Sequence, residues 1–130
     1  MLFRSLRQSG YAYIDFGMKN PSHYRLMFMT PKNLAAKDSA LAQGDPTEDA
    51  YAFLRGIVAE IMAAGRFSEE HTDIDLLSQV IWAGVHGVVS LEIAKCNDDW
   101  VEWRPIADRA RITIDMIING LTLEQTLAKG

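Results

Sequence analysis

One stretch constrains the fold of this chain more than any other. Residues 73–95, DIDLLSQVIWAGVHGVVSLEIAK, carry sixteen consecutive uncharged positions between Asp75 and Glu92. At 100° per residue, Ser78, Trp82, Val85, His86, Val89 and Ile93 fall on one side. Leu77, Val80, Gly84, Gly87, Val88, Leu91 and Ala94 fall on the other. A helix that is apolar nearly all round must be covered nearly all round. The chain has 130 residues, enough for one domain and one core. A domain of that size fills one side of such a helix readily and the second side with difficulty. The alternatives are an ordinary central core helix and a helix shared between the core and a second copy of the chain. Gly84 and Gly87, three apart on the second side, each cost helix propensity of roughly 1 kcal/mol against alanine. Close approach of another helix backbone gives both a reason to be there.

The rest of the chain divides at its prolines and glycines. Residues 2–18 place Leu2, Phe3, Leu6, Tyr13 and Phe16 at helical spacings. Asn20-Pro21 reads as a cap followed by proline at the first helical position. The helix it opens runs through Tyr24, Leu26, Met27 and Phe28 and stops before Pro31. Residues 30–45 are small and polar and read as a loop. Asp45-Pro46-Thr47-Glu48 is a strong helix start, and the helix presents Ala50, Phe53, Leu54, Ile57, Val58 and Ile61 before ending near Gly65. Thr72 and Asp75 form a weaker capping box ahead of the two-sided helix. After an acidic loop at 96–103, a last helix starts around Arg104-Pro105 and runs to about Ile118, with Asn119-Gly120 as its stop. Its polar stripe, Arg104, Asp108, Arg111, Asp115 and Asn119, allows pairing of Asp108 with Arg104 or Arg111 and of Asp115 with Arg111. Ile106, Ala110, Ile114, Ile117 and Leu121 lie opposite. No segment alternates as a strand does, so the expected class is all-α.

The residues exclude several chemistries. A single cysteine, Cys96, precludes an internal disulfide framework and a cysteine-cluster metal site. His71, Asp73 and Asp75 are spaced by two, poor for ligands on a helix, and the acids suit a helix start. There is no G-x-G-x-x-G, no phosphate-cradling loop and no G-x-S-x-G. No catalytic residue, metal or cofactor is expected. A net charge of −4 argues against a basic nucleic-acid binder. The longest apolar runs fall short of the ~18 residues of a membrane span. No secretory signal is visible, which makes the cytoplasm the expected compartment. His86 lies one turn after Trp82 on the inward side. It is either a core histidine satisfied by its neighbours or a polar handle in an apolar cavity. The aromatic and methionine supply, Tyr13, Phe16, Tyr24, Met27, Phe28, Phe53 and Trp82, suits either a core or an apolar ligand pocket.

Two stretches resemble a known family. Residues 11–29, YAYIDFGMKNPSHYRLMFM, resemble the start of the C-terminal domain of TetR-type transcriptional regulators. Residues 82–95, WAGVHGVVSLEIAK, are similar to the Trp-x-x-x-His-Gly signature of one branch, here Trp82, His86 and Gly87. The resemblance spans about residues 1–121, with 122–130 as a tail. It implies an all-α domain that binds a small, often hydrophobic effector and forms a homodimer through a four-helix bundle. Carried onto this chain, Leu77, Val80, Gly84, Gly87, Val88, Leu91, Ile114 and Ile117 would face the partner. Trp82, His86 and Val89 would face the pocket, with Tyr24, Met27, Phe28, Phe53 and Ile57 opposite. Such regulators begin with a helix-turn-helix head. The chain opens at the helix that follows that head, so specific DNA binding by this chain alone is not expected. The alternative is a head-less homodimer that carries or sequesters a small molecule. An enzyme using His86 as base lacks a nucleophile or acid at a compelling spacing.

Overall fold

The computed structural model describes residues 2–31 and 46–122. They form five helices: α1 (Leu2–Lys19), α2 (Pro21–Phe28), α3 (Pro46–Ala63), α4 (Ile74–Lys95) and α5 (Ile106–Leu121). The all-α class expected from the sequence is what the chain adopts. Among the described residues the only β pairing is an isolated bridge between Phe67 and Thr122. α4 is the central element and packs against α1, α3 and α5, while α2 closes one end across α1 and α3.

The core grows from one stripe on each helix. α1 contributes Leu6 and Ile14, α3 Val58 and Ile61, α4 Ile81, Val85 and Val89, and α5 Ile114 and Ile118. Glycines let α1 approach closely. A Cβ at Gly17 would stand 2.5 Å from Cγ1 of Val89 and 3.2 Å from Cδ1 of Tyr24. By length and composition α4 reaches a membrane span, contrary to the shorter run read from the sequence. Packing on three sides gives its apolarity another cause.

Helix ends differ in detail from the sequence reading. Asn20 does open α2, but its side chain caps nothing there: Nδ2 donates back to the Phe16 carbonyl at 3.0 Å. Its own carbonyl instead accepts from Tyr24 N at 2.8 Å. Asp45, expected to cap α3, lies outside the described residues, as does most of the 30–45 loop. α3 ends at Ala63 and turns at Gly65, whose φ of 69° is the left-handed conformation open to glycine. Arg66 N bonds Ile61 O and Gly65 N bonds Met62 O, which ties off the last carbonyls. The cap of α4 is Asp73, whose carboxylate accepts from Leu76 N at 3.1 Å. Asp75 is committed elsewhere, to Tyr51 at 2.9 Å and Arg55 at 2.8 Å on α3. These bonds, the Arg55 one foremost, hold its carboxyl below the usual range.

α5 does not stop at Asn119-Gly120. It continues to Leu121 because that side chain is buried and its carbonyl accepts from Ser68 N at 2.9 Å. The long-range tether outweighs the local stop signal. Asp115 likewise pairs across to Arg7 on α1 rather than with Arg111 on its own helix. Arg111 is left with Asp108 at 3.5 Å.

Candidate functional site: an aromatic cavity and a hydrogen-bonded chain

A cavity of about 330 Å³ lies between α1, α2, α3 and α4. Its α1 wall is Leu6, Ser9, Gly10, Ala12, Tyr13 and Phe16. α2 adds Met27 and Phe28, α3 adds Ala50, Tyr51, Phe53 and Leu54, and α4 adds Ile81, Trp82 and Val85. No lining residue carries a formal charge. The volume is at the lower end for small-molecule sites, which are mostly apolar with a few fixed polar groups. The rings brace one another edge to face: Tyr13 and Phe28 at 5.2 Å, Phe28 and Trp82 at 6.2 Å. Tyr51 lies 5.7 Å from Trp82.

Behind this wall runs a continuous chain of hydrogen bonds. Trp82 Nε1 donates to the Tyr13 hydroxyl at 2.9 Å. The Tyr13 and Tyr24 hydroxyls are 2.6 Å apart, and Tyr24 Oη lies 2.5 Å from His86 Nδ1. Tyr24 is fully buried, so each member needs its neighbour. Burial raises the pKa of both phenols, most strongly for Tyr24, where the bond to Tyr13 adds to the effect. Burial pushes the His86 imidazole down from its ordinary 6.5. All three are therefore neutral near pH 7.

The His86 shift predicts how stability responds to acid. The unfolded chain binds this proton at a higher pH than the folded one. Stability therefore declines as pH falls below about 6.5 and levels off once the folded imidazole protonates. Asp75, with its lowered carboxyl, contributes its own loss only below about pH 4. Urea unfolding at a series of pH values should show the first decline in the native sequence and a flatter profile between pH 7 and 5 in His86→Gln.

The structure distributes the expected ligand residues unequally. Met27, Phe28, Phe53 and Trp82 line the main cavity. His86 lines a second cavity of about 200 Å³, which shares Phe28 and Trp82 with the first and adds Gln79 and Ala83. Tyr24 stands behind the wall as part of the chain. Ile57 and Val89 are buried core residues and line neither cavity. The whole α1 wall was missing from the expected set, although Tyr13 and Phe16 stood out as aromatics. The signal was present as the spacing 6, 9, 10, 13 and 16, one continuous helical face.

The expected interface residues also separate. Leu77, Val88 and Ile114 are buried against the protomer's own helices. Val88 also borders a surface groove, beside Gly87 and Leu91. Gly84 serves an internal crossing: a Cβ there would lie 2.5 Å from Ile117 Cδ1 on α5. Ile117 is half-buried at that contact. A Cβ at Gly87 would meet nothing within 4 Å. Val80 and Leu91 remain 50% and 47% exposed. Exposed Leu76, Ile112 and Met116, not named from the sequence, join them on the outer faces of α4 and α5. A groove of about 550 Å³ runs along this surface past Gly84, Gly87, Leu91, Ile112 and Thr113.

No curated protein and no solved structure matches this chain. A protein-family comparison does match, over residues 6–111, which takes in the cavity, the hydrogen-bonded chain and the start of α5. On that match the chain belongs to the family described as Tetracyclin repressor-like, C-terminal domain.

Proposed function

We propose that this chain is the effector-sensing and self-pairing part of a TetR-like transcriptional regulator. The observation that carries the reading is the 330 Å³ cavity walled by apolar and aromatic side chains from four helices. Its polar atoms are few, and those of Tyr13, Tyr51 and Trp82 are already bonded to neighbours. An occupant therefore gains from apolar burial, at about 25 cal/mol per Å² removed from water. A formal charge would be left unpaired, which the site penalises. The effector is thus a small, uncharged, largely apolar molecule.

The exposed apolar stripes of α4 and α5 support pairing. Leu76, Val80, Gly87 and Leu91 recur at helical spacing on α4, and Ile112 and Met116 on α5. Packing two such helix pairs about a two-fold axis buries each copy's stripe against the other's. In a full regulator, effector binding would act by favouring one arrangement of α1 and α4 relative to that interface. It can shift the balance only by the difference in its affinity for the two arrangements.

Ligand binding is tested with N-phenyl-1-naphthylamine, an uncharged dye that fluoresces in apolar surroundings. The native protein should bind it saturably, with one site per chain. Ala12→Trp places bulk on the cavity wall at a solvent-exposed helix position, so it should cut affinity at least tenfold while leaving the unfolding midpoint in place. Equal binding by both proteins would place the dye, and the function, elsewhere.

A further inference from the structure

The chain Trp82–Tyr13–Tyr24–His86 joins the two cavities: Tyr13 and Trp82 line the larger, and His86 lines the smaller. Its members have a limited number of protons. The indole N–H can only donate, each phenol has one proton, and a neutral imidazole has one proton on either of its nitrogens. The indole always donates to Tyr13 Oη. Tyr13 Oη also lies 3.4 Å from His86 Nδ1, too long to compete with the 2.5 Å approach of Tyr24. Because Tyr24 is fully buried, its proton must be donated inside the chain, and the remaining bonds then run in two consistent directions.

In the first, Tyr13 O–H donates to Tyr24, Tyr24 O–H donates to His86 Nδ1, and the imidazole proton sits on Nε2. Both phenol protons are then used inside the chain, and nothing donates into the larger cavity. In the second, His86 carries its proton on Nδ1 and donates to Tyr24. Tyr24 donates to Tyr13, whose oxygen accepts from Trp82 and Tyr24 together. The Tyr13 proton is then released from the chain. No bond of the chain is lost between the two states. Each phenol keeps its own proton and rotates it, while the imidazole exchanges one proton between Nε2 and Nδ1 through water.

We propose that the larger cavity selects uncharged ligands bearing a hydrogen-bond acceptor, such as a ketone, and that Tyr13 reads this acceptor by reversing the chain and switching the His86 tautomer. The inference rests on the cavity being the ligand site and adds the chemistry it selects. An acceptor captures the Tyr13 proton and holds the second direction. A ligand of the same shape with no acceptor leaves the first direction undisturbed. Occupancy of one cavity is thereby reported as a change of donor and acceptor at His86 Nε2 in the other. Burial favours neutral phenols and a neutral imidazole, which keeps the switch a matter of proton position rather than charge.

The probes are 2-acetylnaphthalene and 2-ethylnaphthalene, which differ in a carbonyl oxygen and little else. The full chain should bind the ketone about fivefold more tightly, the worth of one net hydrogen bond. Nitrogen-15 spectra of the histidine side chains, with His86 assigned by its loss in His86→Gln, should show Nε2–H in the free protein. They should show Nδ1–H with the ketone and no change with the hydrocarbon. Tyr13→Phe should equalise the two affinities. Tyr24→Phe should leave His86 unresponsive to the ketone. Equal affinities in the native protein, or a bound ketone with His86 still protonated at Nε2, would overturn the inference while leaving the cavity as the ligand site. Failure of both naphthalenes to bind would overturn the cavity reading and the inference with it.

Discussion

Leu91→Asp combined with Met116→Asp should convert a paired protein into a folded monomer. Met116 is 69% exposed and Leu91 47% exposed in the protomer, so neither substitution opens the core. Surface changes of this kind usually alter protomer stability by less than about 0.5 kcal/mol. In a two-fold interface every substitution counts twice, so the pair places four carboxylates in the contact. Each buried, unpartnered charge costs several kcal/mol. A dimer of micromolar affinity rests on only about 8 kcal/mol. The loss therefore exceeds what such an interface can tolerate, and dissociation should weaken more than a thousandfold. Light scattering coupled to size exclusion reads the mass, and circular dichroism verifies the helix content. A native chain that is already monomeric at tens of micromolar would overturn the pairing itself. A double variant that remains dimeric would place the interface on another face.

Gly17→Ala should destabilise the protein by about 1–3 kcal/mol, while Gly56→Ala should stabilise it by about 1 kcal/mol. Both glycines lie inside helices, where alanine is intrinsically preferred. The difference is what each new methyl group would meet. At Gly56 there is nothing within 4 Å, so only the propensity gain remains. At Gly17 the Cβ would lie 2.5 Å from Val89 Cγ1, and 3.2 Å from Tyr24 Cδ1. Val89 is fully buried and β-branched, so its side chain has no free rotamer to retreat into. The overlap must instead move α1 away from α4, which also strains the Tyr24 end of the hydrogen-bonded chain. Adding Val89→Ala to Gly17→Ala should recover part of the loss, because the added methyl then fills vacated space. Denaturant unfolding of the three variants measures each step. A Gly17→Ala protein as stable as the native one would show that α1 and α4 are further apart than the structure places them.

The two glycine pairs show where local reasoning stops. Gly84 and Gly87 look equivalent in sequence, both on the second side of α4 and both expensive for a helix. Packing separates them. Gly84 accommodates Ile117 inside the protomer, while Gly87 opens onto the outer groove. The same division runs through the expected interface: Leu77 and Ile114 are buried, Val88 is buried yet borders the outer groove, and the exposed stripe runs through Val80, Leu91, Ile112 and Met116. A helix apolar nearly all round has no polar face to mark its rotation. Its moment is too weak to say which apolar residues meet the core and which meet a partner.

By itself, the sequence determined the all-α class, the approximate extent of each helix, and the inward placement of Trp82 and His86. Those depend on spacing within one helix and on proline and glycine punctuation, which act over a few residues. The resemblance of residues 11–29 and 82–95 to one regulator family was legible in the same local way. The tertiary structure alone decided the α1 wall of the cavity, the transfer of Tyr24 from wall to hydrogen-bonded chain, the extension of α5 to Leu121, and the use of Asp75 and Asp115 as ties to other helices. Each depends on how helices distant in sequence are rotated and set against one another. Periodicity fixes the faces of a helix, but only packing fixes which face meets which.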